Sequence, residues 1–540
     1  TLGKEYYSVN FKNLSNTQNP NCWFYVMAVD TGTTVVEITP TGNTIGGWTA
    51  NPASPYTVSL TQGQIYNVIG TVPSNTANPY TGVDLTGSHI KSVSSGGTSG
   101  CKRIAVFSGS GRISITCTAG SSSSDNYMCQ ALPKTAWGKK FLTVQAAGNQ
   151  SYNYYRVCVT DPTTTVKING AVTALTLQGN FYYEIPATNQ PQRIEGDKPI
   201  MVAQYFTSQG ACSNGAQPGD PEVIYLSPVE QNIATVQWNA TTNYQITNHY
   251  YNVVIPNGGT ALSSFRLDGG AVAGWVTHPQ DPNYSYLRAA VTVGTHIITS
   301  DSGFNAIAYG FGNAESYGYN AGTNIKDLTQ QLQLGTQYGI ETSPTVCTNT
   351  PFRFKVYFPD STVSATPTAI RFDSLHWSIR GVAPIVPNNF VVTQISPTID
   401  STNIQNGRQV NWYSLPTFYS FTAPGNDTLT VTVFSSTNEG CGNSTDYDFP
   451  VVVTDPPVAD FSFTNPGCVA DTVRFTETTP QLPKPTYHFW WDFGDPGSGV
   501  ANNTSSLRNP KHIYSASGTY TVRFSDITTP GCLSDTVTHT

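Results

Sequence analysis

The chain has 540 residues, more than one hydrophobic core usually organises, so we expect several domains. Charged residues make up only 11% of it, while Gly (47) and Pro (36) are frequent, which disfavours long helices. The net charge is −7 and no basic block occurs, which argues against nucleic acid as a partner.

Short runs rich in Val, Ile, Thr, Tyr and Phe alternate with clusters of Gly, Pro, Asn and Asp along the whole chain. No long stretch keeps the i, i+3, i+4 spacing of an amphipathic helix, so the pattern predicts an all-β protein of tandem β-sandwich modules. No window of 18 apolar residues occurs, so we expect no membrane span. The chain opens at Thr1 without an apolar leader, which favours an exported protein whose signal peptide has been removed.

A repeated feature marks the first 335 residues. Gly87-Ser-His-Ile90, Gln192-Arg-Ile194 and Gly294-Thr-His-Ile297 each precede an apolar run, and their isoleucines lie 104 and 103 residues apart. Asn169-Gly170 and Asp268-Gly269, which favour tight hairpins, precede the second and third of these segments. This domain-sized period predicts three related modules at residues 1–125, 126–219 and 220–335.

The next segment, residues 340–455, resembles an Ig-like sandwich. Cys347 precedes the first strand, Trp377 is central and Cys441 comes late, which is the arrangement that such sandwiches use to join two sheets. A bridge from Cys347 to Cys441 would stabilise the domain by about 4 to 5 kcal/mol in the chain-entropy model. Asp455-Pro-Pro457 then predicts a stiff linker.

The last segment, residues 456–540, has the most specific motif in the chain, which consists of Trp491, Asp492, Phe493, Gly494 and Asp495. With this motif the segment resembles a PKD domain. Alternation along a strand puts Trp491 and Phe493 on one buried face, while the aspartates favour turns. Cys468 and Cys532 lie in matching Pro-Gly-Cys contexts and are expected to pair.

The other six cysteines are also expected to form disulfides, because an exported chain meets oxidising conditions. Fifteen connectivities exist for six cysteines, and sequence alone does not choose among them. One possible set joins neighbouring or module-related positions: Cys117 with Cys129, Cys158 with Cys212, and Cys22 with Cys101.

With these residues described, the first 335 positions resemble the bacterial relatives of the IgGFc-binding protein N-terminal domain. The matching pieces include Leu85-Thr-Gly-Ser-His-Ile90, Cys101-Lys-Arg-Ile-Ala-Val-Phe-Ser-Gly109 and Asp220-Pro-Glu-Val-Ile-Tyr-Leu-Ser-Pro228. Followed by Ig-like and PKD segments, this order is similar to large type IX-secreted surface proteins of gliding bacteria. The resemblance implies an extracellular or cell-surface protein with an adhesive or structural role.

Candidate sites were sought among residues with suitable chemistry. The eight histidines accompany no HExxH or GxSxG motif, so we expect no enzyme activity and no cofactor. Two carboxylate pairs, Asp220 with Glu222 and Asp492 with Asp495, offer oxygen ligands to Ca²⁺, but turn formation is the default interpretation of such aspartates.

Tyrosine clusters supply four binding candidates for sugars or proteins: Tyr155, Tyr251, Tyr286 and Tyr319. Ordinary strand packing is the alternative explanation, because aromatic residues are favoured in strands.

Six Asp-Ser or Asp-Thr steps beyond residue 340 resemble the O-glycosylation signal of gliding bacteria. The acceptor hydroxyls are those of Ser361, Ser374, Ser401, Thr428, Thr472 and Thr536. A glycan coat would shield exposed strand edges from pairing, and plain strand-edge residues are the alternative.

These observations favour a non-catalytic secreted adhesin whose N-terminal head binds an extracellular surface, glycan or protein while the Ig-like and PKD domains form a stalk. A structural subunit that joins copies of itself into an extracellular fibre or sheath is the alternative. A carbohydrate-binding accessory to a polysaccharide-degrading enzyme is a third hypothesis.

Overall fold

The computed structural model confirms the all-β prediction, with 54% of the chain in strands and 4% in helices. The structure describes residues 2–11, 13–50, 54–77, 79–94, 101–117, 122–148, 151–212, 218–241, 243–323, 330–337, 341–342, 344–359, 372–381, 383–387, 390–405, 408–434, 444–464, 467–468, 470–479, 488–527 and 532–540. Two compact units are present, one built mainly from residues 1–328 and the other from most of residues 329–540.

The first module is a sandwich of two four-stranded sheets, with orders β1-β8-β4-β5 and β10-β9-β3-β6, and β2 pairs with β7 beside them. Its strands are β1 (Glu5–Tyr7), β2 (Asn13–Ser15), β3 (Cys22–Ala28), β4 (Thr33–Thr39), β5 (Tyr56–Thr61), β6 (Ile65–Ile69), β7 (Tyr80–Gly82), β8 (His89–Val93), β9 (Ile104–Ile113) and β10 (Asp125–Gln130).

The second module follows a 3₁₀ turn at Lys134–Ala136. Its strands are β11 (Gly138–Leu142), β12 (Asn153–Val159), β13 (Val166–Ile168), β14 (Ala171–Val172), β15 (Tyr182–Thr188), β16 (Arg193–Tyr205) and β17 (Val223–Tyr225). They are linked in the order β14-β13-β16-β12-β15, and β11 and β17 also pair with β16.

The third module has 3₁₀ turns at Val229–Gln231 and Asn243–Gln245 and one short helix, α1 (Ala261–Ser264). Its strands are β18 (Ile233–Ala240), β19 (Ile246–Pro256), β20 (Arg266–Leu267), β21 (Gly270–Ala271), β22 (Val276–Thr277), β23 (Tyr284–Val291), β24 (Gly294–Gly312) and β25 (Glu315–Asn320). The order is β21-β20-β24-β19-β23-β22, and β18 and β25 pair with β24.

One strand topology recurs three times along the first 320 residues. In the first module β8 pairs with β1 and β4, and β9 pairs with β3 and β10. In the other two modules one long strand, β16 or β24, makes all four pairings. The three repeated sequence segments therefore lie at the start of β8, β16 and β24.

The expected module boundaries need a correction at three junctions. The strand Gln331–Thr336, which was expected at the end of the third module, pairs with Phe352–Pro359 of the next domain. β10 pairs with β9, and β17 pairs with β16, so each completes the sheet of the module before it. The first module therefore extends to Gln130 and the second to at least Tyr225, because these segments supply backbone hydrogen bonds to the earlier sheets.

The domain that was expected to be Ig-like has sheets ordered β27-β26-β29-β34-β33 and β28-β37-β36-β30-β32, with a small β31-β35 pair. Its strands are β26 (Gln331–Thr336), β27 (Glu341–Thr342), β28 (Thr345–Cys347), β29 (Phe352–Pro359), β30 (Ser374–Arg380), β31 (Ile385–Val386), β32 (Val391–Ile395), β33 (Ser401–Gln405), β34 (Arg408–Ser414), β35 (Ser420–Phe421), β36 (Gly425–Phe434) and β37 (Ser444–Thr454). Trp377 is fully buried in the core between the sheets.

The PKD domain has sheets ordered β38-β39-β42 and β41-β40-β43-β44. Its elements are β38 (Phe461–Phe463), β39 (Val473–Glu477), β40 (His488–Asp492), a 3₁₀ turn at Pro496–Ser498, α2 (Val500–Asn503), β41 (Thr504–Ser505), β42 (Lys511–His512), β43 (Val522–Ile527) and β44 (Val537–His539).

The expected disulfides of the last two domains are wrong. Cys347 is bonded to Cys532. Cys347 therefore does not pair with Cys441, which lies outside the described residues, and Cys532 does not pair with Cys468, which is free. β28 runs parallel to the end of β37, opposite Thr454, so Cys347 lies where the chain passes into the PKD domain. A bridge across 185 residues stabilises by about 5 kcal/mol in the chain-entropy model.

The pairings expected for the first three modules are also wrong. Cys117 is bonded to Cys212, which joins matching loops of the first and second modules. Cys101 is disulfide-bonded but not to Cys22. Cys22, Cys129 and Cys158 lie on β3, β10 and β12 and are not disulfide-bonded.

Candidate functional site: the outer sheet face of the first module

The candidate site lies on the second sheet of the first module. β3 alternates strictly between buried and partly exposed residues. Phe24 and Val26 point into the sandwich core, so Trp23 and Tyr25 point away from it. Residues directly opposite each other in an antiparallel pair share a face, which puts Phe107, opposite Tyr25, on the same outer side.

The three outer rings form an ordered stack. The centroids of Trp23 and Tyr25 lie 5.9 Å apart with an interplanar angle of 11°, and those of Tyr25 and Phe107 lie 4.8 Å apart at 17°. Trp23 lies over Gly109, where an added Cβ would come within 2.5 Å of the indole ring. The glycine therefore allows the indole to lie close to the sheet.

Apolar side chains continue this surface on both sides. Met128 is opposite Gly109 and is 55% exposed, while Ile65 is opposite Met27 and is 57% exposed. We call Trp23, Tyr25, Phe107, Met128 and Ile65 the aromatic face. Aromatic residues and methionine are enriched at protein interfaces, so this face is the best candidate for contact with a partner.

The equivalent face of the second module is buried beneath the first. Its residues, Tyr154, Cys158, Met201, Ala203, Tyr205, Val223 and Tyr225, join the core of the first module. The segment Val9–Phe11 lies across it: the Tyr205 hydroxyl donates to the Asn10 carbonyl at 2.6 Å, and the Tyr225 hydroxyl donates to the Val9 carbonyl at 2.7 Å.

Arg156 secures this covered face at the position where the first module has Tyr25. The guanidinium is fully buried, and it donates to the Asn10 carbonyl at 2.9 Å and to Thr86 Oγ1 at 2.7 Å. It also pairs with Asp84 at 2.8 Å and Glu184 at 3.1 Å. A buried charge is tolerated only with such partners, so this face is built for permanent burial.

The third module repeats the arrangement against the second. Its outer residues Ile307, Tyr309 and Phe311 join the core of the second module. The Tyr309 hydroxyl accepts from the Ala147 amide and donates to Asn252 Oδ1, both at 2.8 Å. Each later module thus buries its outer face against the linker between the first two strands of the module before it.

The tyrosines predicted as binding residues do not form a surface site. Tyr155 and Tyr251 are buried in the cores of the second and third modules, because their positions on β12 and β19 face inward. Tyr286 and Tyr319 are half-buried, and the Tyr319 hydroxyl donates to the Asn239 carbonyl at 2.7 Å. Sequence reasoning missed Trp23, although the apolar residues on both faces of its strand, Cys22–Ala28, were an available signal.

The PKD motif is a turn held by hydrogen bonds. Trp491 is fully buried, and its indole N–H donates to the Leu507 carbonyl at 2.9 Å. Asp492 Oδ1 accepts from the Gly494 amide at 2.9 Å. Asp495 is buried, is bonded to His512 at 3.0 Å and accepts from the Ser515 amide at 2.8 Å.

A polar cleft of about 440 Å³ lies where the three modules meet. Burial raises the pKa of Asp220 to about 7, with the charge of Asp125 adding to the rise and a hydrogen bond from Ser123 opposing it. Burial also raises the pKa of Glu222 well above its usual range. Among the described residues, no group of three or more His, Cys, Asp or Glu side chains is placed to hold a metal ion.

Two histidines at equivalent positions in the repeat are each bonded to a carboxylate. His89 Nε2 lies 2.9 Å from Glu5 Oε1, and His296 Nδ1 lies 2.8 Å from Asp268 Oδ2. Burial alone would raise the pKa of Glu5, but the hydrogen bond with His89 and the charge of Lys134 hold it at about 2. These contacts fasten neighbouring strands to each other.

The glycosylation candidates differ in exposure. Ser401, Thr472 and Thr536 are exposed, whereas Ser374 and Thr428 lie half-buried on β30 and β36. Ser361 lies outside the described residues.

Comparisons with known protein families match two segments of the chain. The family described as IgGFc binding protein matches residues 1–310, and the PKD domain family matches residues 454–540. No curated protein matches the chain. Among solved structures, native E. coli alpha-2-macroglobulin aligns with 96% of this chain and 35% of its own, at 8% identity and a TM-score of 0.12, a likeness that carries no argument.

The helices of the described ranges are too short or too polar to cross a lipid bilayer. The two matched domain types fit an extracellular, adhesin-like protein. Since the first match covers more than half of its residues, the chain belongs to the IgGFc-binding protein family.

Proposed function

We propose that this protein is a non-catalytic secreted adhesin whose N-terminal three-module unit is the binding head. The aromatic face is the single observation that supports this proposal most strongly. The same face is buried in the second and third modules, whereas Met128 and Ile65 remain exposed in the first. Exposed apolar patches on soluble domains mark interaction sites.

The Ig-like and PKD domains are proposed to hold the head away from the cell envelope. The bridge from Cys347 to Cys532 supports this role, because it adds a covalent link between these two domains and limits their separation under load. Export by a type IX system and glycans on exposed hydroxyls such as Thr472 and Thr536 belong to the same proposal. Intact mass of native material, compared with that of the bare polypeptide, tests the glycans.

The binding role is tested by adhesion of beads coated with the full chain. Beads are applied to bacterial cells, immobilised glycoproteins and immobilised polysaccharides under flow. We expect Met128→Glu to reduce retention at least about tenfold, since a charge buried in an apolar contact costs more than about 1.4 kcal/mol. Val172→Glu is the matched control, because Val172 is 63% exposed on the second module. Equal retention of the two variants would remove the aromatic face from the adhesive site.

A structural subunit of an extracellular fibre is the second candidate function. One observation favours it: Tyr244 and Val293 are 77% and 53% exposed at the end of the third module. An apolar end and an apolar face on one molecule allow open-ended assembly.

A further inference from the structure

We infer that the aromatic face binds the third-module end of a second copy of this chain, so that adhesion is homophilic and head-to-tail. This inference rests on the proposed function, since it names the partner of the same face. We define the third-module end as Asn243–Gln245 together with Val293. The argument starts from the contacts that already join the modules within one chain.

In the first and second modules, the end that contacts the next module is formed by two elements: the linker after the first strand and the loop before β8 or β16. We call this end the docking end. In the first module, the linker after β1 lies beside the loop before β8, where the Ser8 amide donates to the Ser88 carbonyl at 2.9 Å. In the second, the Thr143 amide donates to the Gln192 carbonyl at 2.9 Å. Each docking end covers the outer sheet face of the next module, through Val9–Phe11 in the first case.

The docking end of the second module likewise contacts the outer face of the third module. Asn252 Nδ2 donates to the Val144 carbonyl at 3.3 Å and to the Gln145 carbonyl at 3.1 Å. Arg288 donates to the Ala146 carbonyl at 3.2 Å. The chain therefore uses one type of contact twice, always between a docking end and the outer face of the following module.

The third-module end occupies the equivalent place in its own module. Ala240 is opposite Gly294 in the pairing of β18 with β24, so the linker after β18 and the loop before β24 lie at the same end of the sandwich. Both expose a large apolar side chain, Tyr244 from the linker and Val293 from the loop.

Tyr244 has a φ of 56°, in the left-handed region that bulky residues rarely occupy. The Tyr244 ring is exposed in this conformation and points outward from the end of the module. Among the residues that the structure describes, neither the third-module end nor the aromatic face has the partner that the equivalent surface has in the two internal contacts.

The contact is heterologous, because the two surfaces belong to different parts of the molecule. A heterologous contact between two copies does not produce a closed dimer. After each added copy, one aromatic face and one third-module end remain free to bind another copy. Chains or fibres are therefore the expected products at high concentration, and links between coated surfaces are expected at low concentration.

Sedimentation velocity of the full chain over a concentration series tests this inference. We expect the average mass of the unsubstituted chain to rise with concentration. Met128→Glu blocks the face, and Tyr244→Asn removes the ring while keeping a residue type that tolerates the left-handed conformation. Each variant alone should weaken association at least about tenfold, the loss expected when a contact of about 1.4 kcal/mol is removed. Val172→Glu should associate like the unsubstituted chain, and unchanged circular dichroism shows that each variant is folded.

The decisive sample is an equimolar mixture of the two blocked variants. One partner keeps the face and the other keeps the end, so we expect dimers and no longer species. Association lost by Met128→Glu and retained by Tyr244→Asn would show face-to-face pairing and overturn the inference. A monomeric unsubstituted chain at every concentration would also overturn it.

The adhesion assay separates this failure from that of the proposed function. A monomeric chain whose beads still adhere to foreign surfaces through Met128 would refute self-binding and leave the adhesin proposal intact. Beads that adhere neither to each other nor to any surface would refute both.

Discussion

The first and second modules share one topology but use their outer sheet faces in opposite ways. The second module places Arg156 and Tyr205 there and buries both beneath Val9–Phe11. The first module has Tyr25 at the position of Arg156, with Phe107 opposite it, and these two rings stack on one another. Polar groups with several partners mark the internal joint, whereas stacked rings mark the open face.

This difference shows how one type of contact can serve two purposes. A permanent joint can include a buried cation, because its carboxylate partners are always present. A face that must meet water before it meets a partner is better built from rings, which need no fixed hydrogen-bond partner.

Replacing Arg156 should have the largest effect. Arg156→Met leaves Asp84 and Glu184 without their cation at the joint, so we expect a loss of about 3–5 kcal/mol in the free energy of unfolding of the N-terminal unit. Urea titration followed by intrinsic fluorescence measures it. Arg103→Met removes an ion pair whose arginine is 56% exposed and should cost less than about 1 kcal/mol. Similar losses would contradict the distinction between a buried joint and an exposed pair.

Asp220 extends the comparison to pH. Its pKa is about 7 in the fold and about 3.8 ordinarily, so the folded state binds more protons between these values and stability falls as pH rises from about 4 to 7. Asp220→Asn removes this loss, and we expect it to stabilise the unit by about 2–4 kcal/mol at pH 8 and by little at pH 4. Urea titrations at both pH values measure it. An equal effect at the two values would exclude ionisation of Asp220 as the cause.

Tyr309 and Tyr25 allow a hydroxyl buried between two modules to be compared with a hydroxyl on the aromatic face. Tyr309→Phe leaves the Ala147 amide and Asn252 Oδ1 without their shared partner in a buried joint, which should cost about 2 kcal/mol. Tyr25→Phe alters a hydroxyl on the open face and should cost less than about 0.5 kcal/mol. Thermal unfolding of both variants measures the two losses of stability. Equal losses are expected only if the third module separates from the second.

Replacing Gly109 tests whether this glycine allows the Trp23 indole to lie close to the sheet. An added Cβ would lie 2.4 Å from the Tyr127 carbonyl and 2.5 Å from the Trp23 ring, so Gly109→Ala should displace Trp23 and cost about 1–2 kcal/mol. Near-ultraviolet circular dichroism and thermal unfolding report both changes. Gly335→Ala is the control, since its Cβ would meet nothing within 4 Å. Unchanged tryptophan signals in Gly109→Ala would show that the ring does not depend on this glycine.

The smallest effect on stability is expected for Met128→Glu. Its side chain is mostly exposed, so the free energy of unfolding should change by less than about 0.5 kcal/mol. Urea titration measures it beside the adhesion assay. A larger loss would indicate that the aromatic face supports the fold rather than a partner.

The three repeated segments show how far sequence reasoning reaches. Their spacing predicted three related modules because each segment begins the same strand, and alternation along β40 predicted that Trp491 and Phe493 share a buried face. The joints were not predicted, because Arg156 and Asn10 are far apart in the chain and no local pattern relates them. The disulfides failed for the same reason: Cys347 meets Cys532 only because a parallel strand pair carries it to the domain junction.

The sequence by itself determined the strands, their hairpins and the order of the domains, because these depend on alternation, turn chemistry and local motifs. Only the tertiary structure decided which apolar faces are covered. Trp23, Tyr154 and Tyr250 occupy equivalent strand positions, yet their burial depends on whether another module lies across them. Burial is a property of the assembled modules, since the hydrophobic effect acts on the surface that remains in contact with water.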